Sequence, residues 1–263
     1  MATQPPANLP LFYKNLTPLA ASLHGDLKAR STETAPYLAA AHAIPLTIDE
    51  FGTAQRHYPI IFSMGETPVP LALMGLNEGV NVFIDETGKP YNPIYIPAYV
   101  RRYPYMLARI DPAKDELTLC YDPQSDLVST TEGRPLFDGD QPSETLTAVL
   151  KFCEEFEIAA QRTQAFVKEL DALDILIDGE VSIQPDGAGQ PFLYRGFRMV
   201  DEQKLKDMDG ETLHRLNQNG ILPLLMAHLF SLGLMRELFA RQMQQGKVPE
   251  APAAASDAPQ GNA

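Results

Sequence analysis

One stretch constrains the fold more than any other. From Ser143 to about Leu173, Leu146, Leu150, Cys153, Phe156, Ala160, Thr163, Val167 and Leu170 return at helical spacing on one stripe. A long helix with one apolar stripe must lie across a core supplied by the rest of the chain. That rest reads differently. Ile60 to Met64, Val69 to Gly75 and Val80 to Ile84 are short apolar runs separated by Gly- and Pro-bearing turns, a meander continued past Asp85-Glu86-Thr87-Gly88. Thr47 with Glu50 three residues on has capping-box spacing and opens a short helix that Pro59 stops. A second short helix, Ile96 to Tyr103, ends at Pro104 and leads into the strand-like Tyr105 to Ile110 and Glu116 to Tyr121. Asp122 to Gln141 is a polar loop long enough to serve as a flap.

After the long helix, Ile175 to Ile183 and Pro191 to Val200 bracket Pro185-Asp186-Gly187-Ala188-Gly189 as a hairpin, and two or three helices follow up to Gln245. The expected class is α+β: a β-rich part over 11–141 packed against a helix-rich part over 142–245, in one domain spanning 11–245. Tails at 1–10 and 246–263 are too poor in large apolar residues to offset the entropy of ordering. Ile221 to Met235 is the most apolar stretch, interrupted by Pro223, His228, Ser231 and Gly233 and shorter than a bilayer requires, so it reads as a buried helix and no membrane insertion is expected.

The chain of 263 residues carries a formal charge of −13, which repels phosphate backbones and sets nucleic acid aside as a partner. Two widely separated cysteines, Cys120 and Cys153, read as reduced thiols, and no basic-then-apolar leader is visible, so the cytoplasm is the expected location. Arg56-His57-Tyr58-Pro59 and Arg101-Arg102-Tyr103-Pro104 both place Arg-x-Tyr-Pro between a short helix and an apolar strand. That repetition fits an internal duplication or simply a common way of building such a corner.

Several strings resemble the SapC family. They are Leu11-Phe12-Tyr13-Lys14-Asn15, the nine residues from Ile96 to Pro104, Gln161 to Phe166, Gly196 to Glu202 and Ala227 to Gly233. The resemblance implies a bacterial protein. Members are associated with a surface layer, or occur beside TonB-dependent receptors, halogenase-like flavoproteins and cupin-like oxygenases, and the family supplies no catalytic residues to carry over.

The residues themselves offer little chemistry. His24-Gly25-Asp26 begins a two-histidine, one-carboxylate pattern that His214 or His228 would have to complete, a weak metal candidate because both distal histidines lie in helical patterns. There is no GxSxG, and Gly187-Ala188-Gly189 lacks the strand, helix and lysine of a phosphate loop. No cofactor is implied. The Arg and Tyr concentration at Tyr99, Arg101, Arg102 and Tyr103, with Arg56 and Tyr58 in the echo, is the candidate ligand or partner surface, since guanidinium suits bidentate carboxylate contacts and tyrosines add stacking area. A corner with core tyrosines and arginines bridged to carboxylates accounts for the same residues. The leading reading is a non-enzymatic binding or accessory protein recognising a peptide, protein or small anionic ligand, with homo-oligomerisation left open. The alternatives are an enzyme or enzyme partner of flavin-dependent halogenase-like or cupin-like oxygenase systems, and a surface-layer component.

Overall fold

The computed structural model describes residues 9–110, 113, 115–184 and 191–247, and the long helix within it spans Glu144–Ala172. At 1.5 Å per residue its 29 residues reach about 43 Å. Ser143 caps it by accepting from the Leu146 amide, while its own hydroxyl donates to the Pro135 carbonyl at 2.7 Å. The helix spans two apolar clusters. Leu146 and Cys153 pack with Tyr105, Leu107, Tyr121, Leu136 and Phe137, whereas Phe166, Val167 and Leu170 pack with Phe51, Phe62, Leu73 and Phe197. Phe166 stands edge-on to Phe51, with centroids 6.0 Å apart, and belongs to the buried face together with Ala159. Phe156 and Leu150, expected on that face, are only half-buried. Phe156 lines an open hollow on one side and is covered by a charged side chain, described below, on the other.

The larger cluster is organised by a five-stranded antiparallel sheet in the spatial order Leu176–Ile183, Phe192–Val200, Ile60–Phe62, Pro70–Leu73 and Ala43–Pro45. The C-terminal hairpin therefore extends the N-terminal sheet. Gly179 sits directly beneath the Phe197 ring, where an added Cβ would lie 2.2 Å from a ring carbon, so only glycine fits. A three-stranded sheet of Thr17–Pro18, Thr118–Tyr121 and Tyr105–Ala108 builds the smaller cluster. The two Arg-x-Tyr-Pro corners thus feed strands of different sheets.

Three expectations need correction. Val80 to Ile84 forms no strand: the Asn81 side chain donates to the distant Leu38 and Ala41 carbonyls and accepts from the nearby Phe83 amide, and the backbone pairs only in isolation, as from the Val82 amide to the Met74 carbonyl. Asp122 to Gln141 does not hang free. Its short strands Val128–Ser129 and Arg134–Pro135 flank Lys28–Ala29 on either side, and Leu136 and Phe137 are buried. The apolar helix is longer than expected, running through a 3-10 turn from Ile221 to Gln244. Its 24 residues are long and apolar enough to cross a membrane by length and composition. Only one face of it is buried, through Leu225, His228, Ser231 and Met235, and Phe230 is 68% exposed. Of the expected tails at 1–10 and 246–263, residues 1–8 and 248–263 lie outside the described residues, as does the hairpin tip at 185–190, whereas Pro10 accepts from the Tyr13 amide and Lys247 donates to the Asn81 carbonyl, so the ordered body reaches slightly past both expected bounds.

His228 closes the centre of the sheet. Strands Phe192–Val200 and Ile60–Phe62 share a single register pair, Arg198 with Phe62. Beside it the Val200 amide donates to His228 Nε2 at 3.1 Å, so Nδ1 carries the proton and donates to the Ile60 carbonyl at 2.8 Å. Ser231 accepts from the Ile60 amide at 2.8 Å. The imidazole is a bridge between strands, both nitrogens in use.

Phe166→Ala should cost about 3–5 kcal/mol and Phe156→Ala clearly less, read from urea melts; equal losses would mean that the two rings are equally packed. Burial lowers His228 to about 4 against the pull of the Ile60 carbonyl. Because that value lies below the ordinary 6.5, its contribution is whole above pH 6.5 and is lost as pH falls toward 4, on the order of 3 kcal/mol. An imidazole NMR titration should find the ring neutral at pH 5; protonation near 6.5 would contradict this packing.

Candidate ligand-binding cleft

The corner that the sequence singled out is built on one carboxylate. Glu50, 5% exposed, accepts from the Thr47 amide and hydroxyl through Oε2 at 2.8 and 2.9 Å. Through Oε1 it accepts from the Ala98 amide at 2.7 Å and the Tyr95 hydroxyl at 2.9 Å. The capping-box glutamate of one turn thus also satisfies the first amide of the helix Ala98–Arg102, whose own N-cap position is Pro97 and has no side-chain cap. Tyr58 supports the arrangement from the core, donating to the Tyr95 carbonyl at 2.6 Å.

Adjacent residues on a helix point about 100° apart, so Arg101 and Arg102 part company. Arg102 turns inward. Its side chain is 6% exposed, its guanidinium lies 4.6 Å from the Tyr99 ring centroid and 4.2 Å from that of Phe156, and Nη1 meets Glu157 at 3.4 Å. Burial holds the Glu157 carboxyl above its usual range, against the pull of Arg102. Nε of Arg102 is buried without a hydrogen-bond partner. Arg101 turns outward over the Phe152 ring at 5.1 Å, with Nε donating to the Ile96 carbonyl at 3.1 Å and Nη2 to the Tyr95 hydroxyl at 3.3 Å. Among the described residues no carboxylate pairs with it.

Arg101 faces a hollow of about 770 Å³ between this corner and the first turns of the long helix. Arg30, Arg102, Arg134 and Tyr105 also line it, and Glu144 is its one carboxylate. Two smaller hollows, of about 340 and 380 Å³, share the walls Arg30, Tyr103 and Leu127 with the first, so the three form one groove. Arg30 is partly committed, to the Asp126 carbonyl at 3.1 Å and Glu132 at 3.5 Å. Arg134 is exposed, with no acidic partner among the described residues. In the floor, burial pushes the Cys153 thiol up to about 11, and the Tyr105 hydroxyl is buried without a partner.

The expected residues divide accordingly. Tyr103 and Arg101 reach the groove, Arg102 forms its inner wall, and Tyr99 packs behind, donating to the Leu11 carbonyl at 3.1 Å. Tyr103 belongs to an aromatic cluster with Phe12, Tyr13 and Tyr37. Tyr58 is fully buried core, and Arg56 is exposed and lines none of the three hollows. His24 accepts from the Ala20 amide at 3.2 Å and stands edge-on to Tyr121; Asp26 and His214 are exposed. Among the described residues no three His, Cys, Asp or Glu side chains gather as a metal site. Glu50, Arg30 and Arg134 were missed. Glu50 carried a signal only for its own turn, and two isolated arginines carry none.

The SapC family model matches residues 19–238, which include Arg30, the corner and the whole of the long helix. No curated protein and no solved structure matches the chain.

Arg102→Gln should destabilise by about 2 kcal/mol, since it leaves the half-buried Glu157 without its cation and opens a gap against Tyr99 and Phe156, whereas Arg101→Gln should cost under about 1 kcal/mol. The Arg102→Gln deficit has a sign in pH. Losing the cation raises the Glu157 carboxyl further, so the deficit is full where Glu157 is ionised and narrows as acid protonates it. Urea melts at pH 7 and pH 4.5 check this; equal stability of the two variants at pH 7 would refute the inward placement of Arg102.

Proposed function

This chain belongs to the SapC family, and we propose that it acts as a binding protein whose ligand is an anion held in the groove beside Arg101. One observation carries the reading: in a chain of net charge −13, four arginines meet around one hollow that holds a single carboxylate. Arg30 and Arg102 have carboxylate partners in Glu132 and Glu157, whereas Arg101 and Arg134 have none among the described residues, and it is their like charges that a bound anion would neutralise. The long helix adds to it. Glu144 and Thr145, in its first turn, line the same hollow, where the helix dipole favours negative charge.

Burial keeps the Cys153 thiol protonated at neutral pH, which favours binding over nucleophilic chemistry at that wall. Cys120 and Cys153 both stand as free thiols, in keeping with a reducing compartment such as the cytoplasm. The apolar helix ending at Gln244 fits a water-soluble body better than a bilayer. His228, Ser231 and Gln242 are spent on backbone groups at Ile60, Val200 and Leu76, bonds that insertion would break.

Citrate is a suitable generic probe. At a concentration well above its Kd it should raise the midpoint of thermal unfolding by several degrees, as a ligand at about 100 times its Kd stabilises by about 2.7 kcal/mol. The Arg101→Gln/Arg134→Gln double variant should fold normally and lose most of the rise, and sodium chloride of matched ionic strength should not reproduce it. An equal rise in wild type and double variant would place the anion elsewhere.

A further inference from the structure

Resting on that reading of the groove, we propose that the ligand is an acidic peptide, laid across all three hollows with a carboxylate in the one that Arg101 and Arg134 line. The groove is too extended for a single small anion: the hollow of about 770 Å³ continues past Tyr103 and Leu127 into two others of about 340 and 380 Å³. Its charge is graded along that path. Four arginines surround the first hollow; the second has Arg30 and Arg101 against Glu33; the third has Arg30 and Lys14 against Asp126.

A strand of nucleic acid presents a phosphate at every step and would set one against Glu33 or Asp126 in the outer hollows. A peptide does not. Its uncharged amides match the neutral polar walls there, which Thr32, Thr34 and Ser125 supply, and its acidic side chain matches the guanidinium forks of the first hollow in pairs of parallel hydrogen bonds. Tyr103 and Leu127, the walls common to all three, provide the apolar saddle over which an extended chain passes.

The test is fluorescence anisotropy on the full chain at low salt, with a fluorescein-labelled peptide carrying two Glu residues at one end of a run of Gly and Ser, and the same peptide with Gln in place of Glu as control. The Glu peptide should bind and the Gln peptide should not. Arg134→Gln, at an exposed and unpaired position, should weaken binding about tenfold, the scale of one charge-assisted contact. Arg195→Gln, on the hairpin away from the groove, should leave it unchanged. Three results overturn the proposal. If citrate stabilises the wild type through Arg101 and Arg134 while the Glu peptide fails to bind, the groove takes small anions and only the peptide assignment falls. If neither acts, both readings fall. If a labelled oligonucleotide of equal charge binds as tightly as the Glu peptide, the occupant is nucleic acid and not a peptide.

Discussion

The corner of the molecule that carries the groove hangs on the Glu50 carboxylate. Four donors from two distant parts of the chain converge on it: the Thr47 amide and hydroxyl, the Ala98 amide and the Tyr95 hydroxyl. A buried carboxylate is tolerated only when its acceptor sites are filled, and filling them here fixes where a five-residue helix, too short to be stable alone, must begin. Once that start is fixed, the directions of Arg101 and Arg102 follow. The Tyr95 hydroxyl that donates to Glu50 also accepts from Arg101, so the same network sets the outward arginine over the groove.

The second organising element is the long helix, which is at once spine and wall. Its ends bury apolar side chains in different clusters, and between them Phe156 and Glu157 receive the Arg102 guanidinium. An ion pair at this seam contributes less to net stability than an apolar contact of the same size would. Its use is positional. It commits one arginine to the interior and leaves its neighbour without a carboxylate, so that a chain rich in Asp and Glu retains unpaired cations around one hollow.

Much of the architecture could be read from local pattern. The long helix, the Thr47 to Glu50 turn, the hairpin and the strands around Ile60 and Tyr105 all announce themselves through periodicity or capping residues. What pairs with what could not be read, because Thr17 meets Tyr121 and Arg198 meets Phe62 across separations that no local signal spans. The same limit applied to the groove. The Arg101-Arg102 pair was visible, but a helix of five residues has too few turns to show which arginine faces inward, and Arg30 and Arg134 join them only through the small sheet around Lys28–Ala29. His228, weighed as a metal ligand, proved to be a hydrogen-bond bridge in the middle of a sheet, a role set by neighbours nearly 30 and 170 residues away.

The most direct measurement is the location of bromide by anomalous diffraction in crystals soaked in sodium bromide, since a halide samples every anion-binding position without presuming a ligand. A groove that holds anions gives its strongest peak in the hollow lined by Arg101, Arg134 and the first turn of the long helix. Peaks confined to scattered surface cations, with that hollow empty, would contradict it.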